Sequence, residues 1–105
     1  MKIVSFIPIK LNNQRLPGKN TMILNGRPTC DYIFDTISKV DSIDEKYVYC
    51  SDEAIKPYIQ PYEEKGLHFL KRDPYLDGFQ VKGLEIIDRF VKDVDADIYV
   101  LTHVT

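Results

Sequence analysis

Cysteine is scarce in this sequence. Among 105 residues only Cys30 and Cys50 occur, and neither belongs to a CxxC pair or a Cys/His cluster. That excludes a zinc signature and fits two reduced core thiols in a cytosolic protein. A basic excess is also missing. The 14 Lys and Arg are outnumbered by 16 Asp and Glu, for a net charge of −2, which argues against a general nucleic-acid binder. The seven Tyr do not interleave with basic residues, so no stacking platform for single strands is expected. No apolar run is long enough to span a bilayer. Residues 1–7 look superficially like the start of a signal peptide. Their apolar run is short, is stopped by Pro8, and has no small-residue cleavage site. The expectation is a cytoplasmic chain with neither nucleic acid nor membrane as partner. Asp73, Asp77 and Asp88 are not spaced as a metal cluster, and no metal ligand is assigned.

What is present reads as one small globular domain. Hydrophobic residues make up 44% and charged residues 29% of the chain, an ordinary soluble composition and enough for a real core. Ile3 to Ile9 is apolar and β-branched or aromatic, which predicts a first strand buried on both faces. Pro8 falls at its end, where a missing N–H matters least. Residues 11–20 show no periodicity and read as a loop. Asn25-Gly26 is a turn signal, and Pro28 suits the first turn of a helix. That helix carries Cys30, Ile33, Phe34, Ile37 and Val40 on one face and ends at Asp41-Ser42.

Lys46 to Cys50 is a second strand. Ser51 or Asp52 caps the next helical segment, whose apolar side is Ala54, Ile55, Tyr58, Ile59 and Tyr62. Pro57 and Pro61 predict that this segment is short, broken or kinked, and Gly66 stops it. Leu67 to Leu70 is a third strand, with a loop at 71–78. Val81, Leu84, Ile87, Phe90, Val91 and Val94 mark the clearest amphipathic helix, and residues 97–103 a fourth strand. The alternation of strands and helices predicts a parallel sheet with right-handed crossovers, hence an α/β fold of three layers, α/β/α. In such a sheet the ligand lies beyond the carboxyl ends of the strands. The 10–20 loop, Ser51-Asp52, the 71–78 loop and His103 all fall there. A chain stopping at Thr105, directly after a strand, suggests part of a longer protein, or a small domain that covers the face by dimerising.

The 10–20 loop holds the densest chemistry. Lys10, Arg15 and Lys19 are its cations, and Asn12, Asn13, Gln14 and Asn20 its amides. A strand ending in such a loop presents donors to phosphate. The same cations read equally well as a solvated surface loop. Asp52 reads as a helix cap rather than a site acid, and His68 as a strand residue without a role. His103 reads equally as a ligand contact or as a partly buried strand-end histidine.

Ile7-Pro8 joined to Arg15-Leu16-Pro17-Gly18-Lys19-Asn20 resembles the first motif of the acylneuraminate cytidylyltransferase family, which includes synthetases of CMP-sialic acid and CMP-KDO. That motif reads Ile-Pro-Ala-Arg-x-Gly-Ser-x-Arg-Leu-Pro-Gly-Lys-Asn. The middle departs from it: Ile9 and Lys10 replace Ala and Arg, and Leu11-Asn12-Asn13-Gln14 replaces the Gly-Ser portion. Leu24-Asn25-Gly26-Arg27-Pro28, Ser51-Asp52-Glu53-Ala54-Ile55, Arg72-Asp73-Pro74 with Leu76, and residues 100–105 resemble later family motifs in order, with His103 in place of a Gln. The resemblance covers nearly the whole chain.

It implies a Rossmann-like sheet of the nucleotide-diphospho-sugar transferase type, with residues 1–105 forming a single nucleotide-binding domain, the N-terminal half of a longer cytidylyltransferase. It further implies CTP and a sugar acid (sialic acid or similar) as substrates, with CMP transferred and pyrophosphate released. Arg15 and Lys19 would serve catalysis at the phosphates. Lys10, Asn12, Asn13, Gln14 and Asn20 would bind nucleotide, and His103 substrate. Mg²⁺ is implied with ligands outside this chain, as is a homodimer at full length; the 105 residues alone are expected to be inactive. Two alternatives stay open. One is a nucleotidyltransferase with another nucleotide or sugar. The other is a non-catalytic nucleotide- or partner-binding module. Replacing Arg by Lys10 keeps charge but loses the bidentate fork. Loss of glycine restricts close backbone approach to phosphate.

Overall fold

The computed structural model describes residues 1–9, 23–77 and 83–103. Four parallel strands form the sheet: β1 (Ile3–Ile9), β4 (Glu45–Cys50), β5 (Leu67–Lys71) and β6 (Ile98–Leu101). Their spatial order is β5-β4-β1-β6. Chain order thus runs outward from β1 to β5, then jumps back across β1 to β6. That jump is the reversal of strand order at which α/β sheets open a crevice.

Between β1 and β4 come a two-stranded hairpin, β2 (Ile23–Leu24) and β3 (Arg27–Pro28), and helix α1 (Thr29–Ser38). Asn25 and Gly26 form the hairpin turn with φ of 53° and 81°. Two successive positive φ values match the right-handed twist of a tight hairpin. Pro28 closes β3 and precedes the helix with ψ of 142°, so the helix starts one residue later than its proline suggested.

The helix also ends earlier, at Ser38 rather than Asp41-Ser42. The Lys39 and Val40 N–H groups donate to Thr36 and Ile37 carbonyls, which tightens the last turn. The ammonium of Lys46, buried on β4, donates to the Ser38 carbonyl at 3.2 Å. A cation on the last carbonyls is favourable at the negative end of the helix dipole, and it stops α1 before Val40.

Asp52 caps the next segment, accepting the Ala54 N–H at 2.9 Å. The segment is broken as its prolines require: a 3-10 turn at Glu53–Ile55, α2 (Lys56–Ile59), and a 3-10 stretch at Gln60–Lys65 ended by Gly66 at φ 95°. Another 3-10 turn, Pro74–Asp77, lies within the expected 71–78 loop. Helix α3 (Gly83–Asp93) precedes β6.

Alternation along the strands sorts the core into two layers. Ile7, Ile9, Val48, Cys50 and Leu67 pack with Phe34 and Ile37 of α1 and with Ile55, Ile59 and Tyr62. Val4, Phe6 and Tyr49 pack with Leu76 and with Phe90 and Val94 at α3. Phe90 is the keystone of the second layer. It stacks on Phe6 at 4.0 Å between ring centroids and meets Tyr47, Tyr49 and Tyr99 edge-on. The fold is the expected three-layer α/β/α. The α3 stripe is narrower than its spacing suggests. Phe90 and Val94 are buried and Ile86 and Ile87 pack beside them, but Leu84 is 77% and Val91 39% exposed. Val81 lies outside the described residues.

Candidate functional site

The carboxyl ends of all four strands point the same way, because every pairing in the sheet is parallel. At the reversal, β1 and β6 part company. Phe6 is level with Leu101, and the Thr102 N–H still donates to the Phe6 carbonyl at 3.1 Å. The carbonyls of Lys2, just before β1, and of Phe6 within it face β6, so even-numbered positions along this strand point that way. The backbone nitrogen of Pro8 therefore faces the same way, with no N–H to continue the ladder. The pairing ends, and a crevice opens between Pro8 and His103.

That crevice has a volume of about 400 Å³, within the usual range for a small-molecule site. Pro8 and Leu101 form its strand side. Gly83, Leu84, Ile86 and Ile87 at the start of α3 form the helix side, and His103 the polar rim. The exposure of Leu84 and Leu101 (38%) belongs to this crevice. Apolar walls with one polar group suit a flat ring whose edge carries hydrogen-bonding atoms.

At the opposite edge of the sheet, the loop after β5 is pinned to the sheet and to α3. Arg72 is 2% exposed, its N–H donates to the Cys50 carbonyl at 2.9 Å, and its guanidinium lies 5.9 Å from the Tyr49 ring centroid. Asp73 accepts the Tyr75 N–H at 3.0 Å and Arg89 of α3 at 3.3 Å. Those donors, the backbone N–H first, hold its carboxyl below its ordinary pKa. On the α3 face of the sheet, Tyr49 donates to Asp93 at 3.2 Å, and burial first, then that carboxylate, pushes its hydroxyl pKa up to about 12.

Lys10, Asn12, Asn13, Gln14, Arg15, Lys19 and Asn20 lie outside the described residues. Their segment leaves the carboxyl end of β1, directly after Ile9. His103 is the one predicted site residue within the described part, and it stands at the crevice, exposed. Asp52 is a cap, as its sequence context suggests. His68 is an exposed β5 residue near the Tyr47 ring. Nothing in the sequence pattern marks the walls Leu84, Ile86 and Ile87 as site residues, and the buried Arg72 is not among the predicted ones. Arg72 has a signal, an Arg-Asp-Pro at a strand end. The helix walls have none, because an apolar residue at helical spacing reads as core. Among the described residues, no group of three or more His, Cys, Asp or Glu could hold a metal ion.

The fold is that of a Rossmann-like α/β protein, with a crevice at the strand-order reversal. A solved structure of CMP:2-keto-3-deoxy-manno-octonic acid synthetase complexed with CTP shares this fold, with a TM-score of 0.75 and 23% identity over 99% of this chain and 40% of its own. A cytidylyltransferase from Leptospira borgpetersenii superposes with a TM-score of 0.67 at 17% identity, over 99% of this chain and 42% of its own.

In sequence, the chain is similar to sugar-acid cytidylyltransferases. It is 37% identical to 3-deoxy-manno-octulosonate cytidylyltransferase 2 of Hydrogenovibrio crunogenus over 62 residues, 59% of this chain and 25% of the relative. It is 27% identical to N-acylneuraminate cytidylyltransferase of Streptococcus agalactiae over 106 positions, spanning 100% of this chain and 25% of the relative. The chain thus spans about a quarter of the length of these relatives. No family profile matches it.

Proposed function

We propose that this chain forms the nucleotide-binding part of a cytidylyltransferase that moves CMP from CTP to a sugar acid. The observation that carries the reading is the crevice at the strand-order reversal, with apolar walls and one polar rim group, at the carboxyl end of β1, after which the cationic residues 10–20 follow in sequence. The names of the relatives, and the CTP bound by the structural neighbour, support it. The base would lie between Pro8, Leu84 and Leu101. The triphosphate would extend toward Lys10, Arg15 and Lys19, with Asn12, Asn13, Gln14 and Asn20 supplying amides. A sugar hydroxyl attacks the α-phosphorus, the bond to the bridging oxygen breaks, and pyrophosphate leaves. Cations near the phosphates offset the charge that develops.

Mg²⁺ is the usual companion of such a triphosphate. The described residues do not fit it. Asp52 is engaged with Ala54 N–H, and Asp73 with Tyr75 N–H and Arg89. No metal ligand is assigned among the described residues. The same proposal has the longer enzyme acting as a cytoplasmic homodimer.

Thermal shifts with CTP, UTP, GTP and ATP test the reading. CTP should stabilise most, by mass action on the folded state. Equal shifts, or none, would contradict it. A second reading, a nucleotide-binding module without transfer activity, is favoured by the departure at Leu11-Asn12-Asn13-Gln14. It predicts CTP binding with no pyrophosphate release when a sugar acid is supplied.

A further inference from the structure

We propose that Ser5, Lys46 and Ser38 hold an ordered water beneath the end of α1, on the face of the sheet away from α3 and the crevice. Side chains alternate along β1, so Ser5 shares the α1 face with Ile7 and Ile9, while Val4 and Phe6 face α3. Lys46 shares the α1 face with Val48 and Cys50 of β4, and the strand register sets it directly beside Ser5. Ser5 is 0% and Lys46 6% exposed. The Ser5 hydroxyl has no hydrogen-bond partner among the described residues.

A fully buried hydroxyl without a partner is costly. The surroundings of Ser5 explain why no side chain reaches it. Ile3 and Ile7 flank it along the same face, and Val100 lies level with it on β6. All three present only carbon. Lys46, on the other side, is the polar neighbour. Its ammonium has three donors, and the Ser38 carbonyl takes one at 3.2 Å. The Ser38 hydroxyl is buried too. It donates to the Phe34 carbonyl at 2.6 Å, and its oxygen keeps the capacity to accept.

These groups match what one water needs. A buried water makes about three hydrogen bonds to polar groups that would otherwise go unsatisfied. Here it accepts from the Lys46 ammonium and donates to the Ser5 and Ser38 hydroxyl oxygens. Apolar cavities stay dry, but a buried ammonium beside two hydroxyls is a polar site. The bridge joins β1 to β4 and to the last turn of α1. It satisfies the Ser5 hydroxyl and fixes the ammonium that ends the helix.

Ser5→Ala separates a bridged hydroxyl from an orphaned one by the sign of its effect. Deleting an orphaned hydroxyl removes a desolvation cost and raises the urea midpoint. Deleting one end of the bridge should lower the midpoint by about 0.5 M. In a Lys46→Met background the bridge has already lost its donor, so the further loss from Ser5→Ala should vanish. A raised or unchanged midpoint in Ser5→Ala, or the same loss in both backgrounds, overturns the proposal. A crystal structure of the parent chain reads the site directly, whether or not Lys46→Met folds. Water density within hydrogen-bond distance of both Ser5 Oγ and Lys46 Nζ supports the bridge. A site without that density, or a direct bond from Ser5 Oγ to a protein group, overturns it.

Discussion

Single residues explain where this chain's local signals hold and where they give way. Asp52 was legible because an acid before a helical segment has one common use, and it caps Ala54 as its position suggested. Val40 misled. Its spacing continues the α1 stripe, but the Lys46 ammonium, distant in the helical pattern, takes the Ser38 carbonyl and ends the helix first. Phe90 was legible as core, though its centrality was not. Four aromatic rings meet it, and that convergence needs the sheet register to be known. Phe90→Ala should cost about 3–5 kcal/mol, since it removes a fully buried ring and leaves a cavity. Urea unfolding of the variant measures this, and a loss under about 1 kcal/mol would mean that the layer repacks around the gap. His103 was the site residue that sequence placed within the described part of the molecule, and it stands on the crevice.

At the level of elements, the strands and helices were readable because β-branched runs and helical stripes alternate with clear turn signals. The side on which β6 joins the sheet was not readable. Its sequence, apolar and short, suits a central strand as well as an edge one. In the structure β6 pairs only with β1 among the described residues, and Ile98 is 41% exposed. This placement makes the crevice, because it puts the reversal of strand order between β1 and β6. Pro8 sharpens it by withholding the next donor. The pairing pattern also ranks local stability, since a strand bonded on one side opens at lower cost than one bonded on two. Amide hydrogen exchange should be slowest in β1 and β4 and measurably faster in β6. Equal protection of β6 and β1 would require a second pairing partner for β6.

Across the whole molecule, ionisable groups set the limits of stability from both sides. Glu45, Asp35, Glu53 and Asp73 have pKa values lowered in the fold. The causes are chiefly the Tyr47 hydroxyl and Lys2 for Glu45, Lys39 for Asp35, Lys56 for Glu53, and the Tyr75 N–H for Asp73. Groups depressed by folding stabilise it above their unfolded pKa, ordinarily 3.8 for Asp and 4.5 for Glu, and lose that contribution as pH falls through the folded value. Tyr47, Tyr49 and Tyr62 are pushed up to about 12, Tyr47 first by the Glu45 hydrogen bond and the other two first by burial. Groups raised by folding contribute fully below the unfolded value, ordinarily 10, and lose it as pH rises through the folded one. The urea midpoint should therefore stay level through neutral pH. It should fall below about pH 4 and again above about pH 10. A midpoint that rises on either limb would contradict these partnerships.

The CTP site proposed above joins the crevice residues to the cations Arg15 and Lys19. Its most direct measurement is the CTP-induced rise in melting temperature for the parent chain and for Arg15→Ala and Lys19→Ala. Neither residue belongs to an apolar stripe or strand run, so the unliganded melting temperatures should agree. With CTP present, the parent should gain several degrees. Each variant should bind CTP about tenfold more weakly, the worth of one charge-assisted contact, and so gain less. Equal CTP shifts in all three proteins, or none in the parent, would contradict the account.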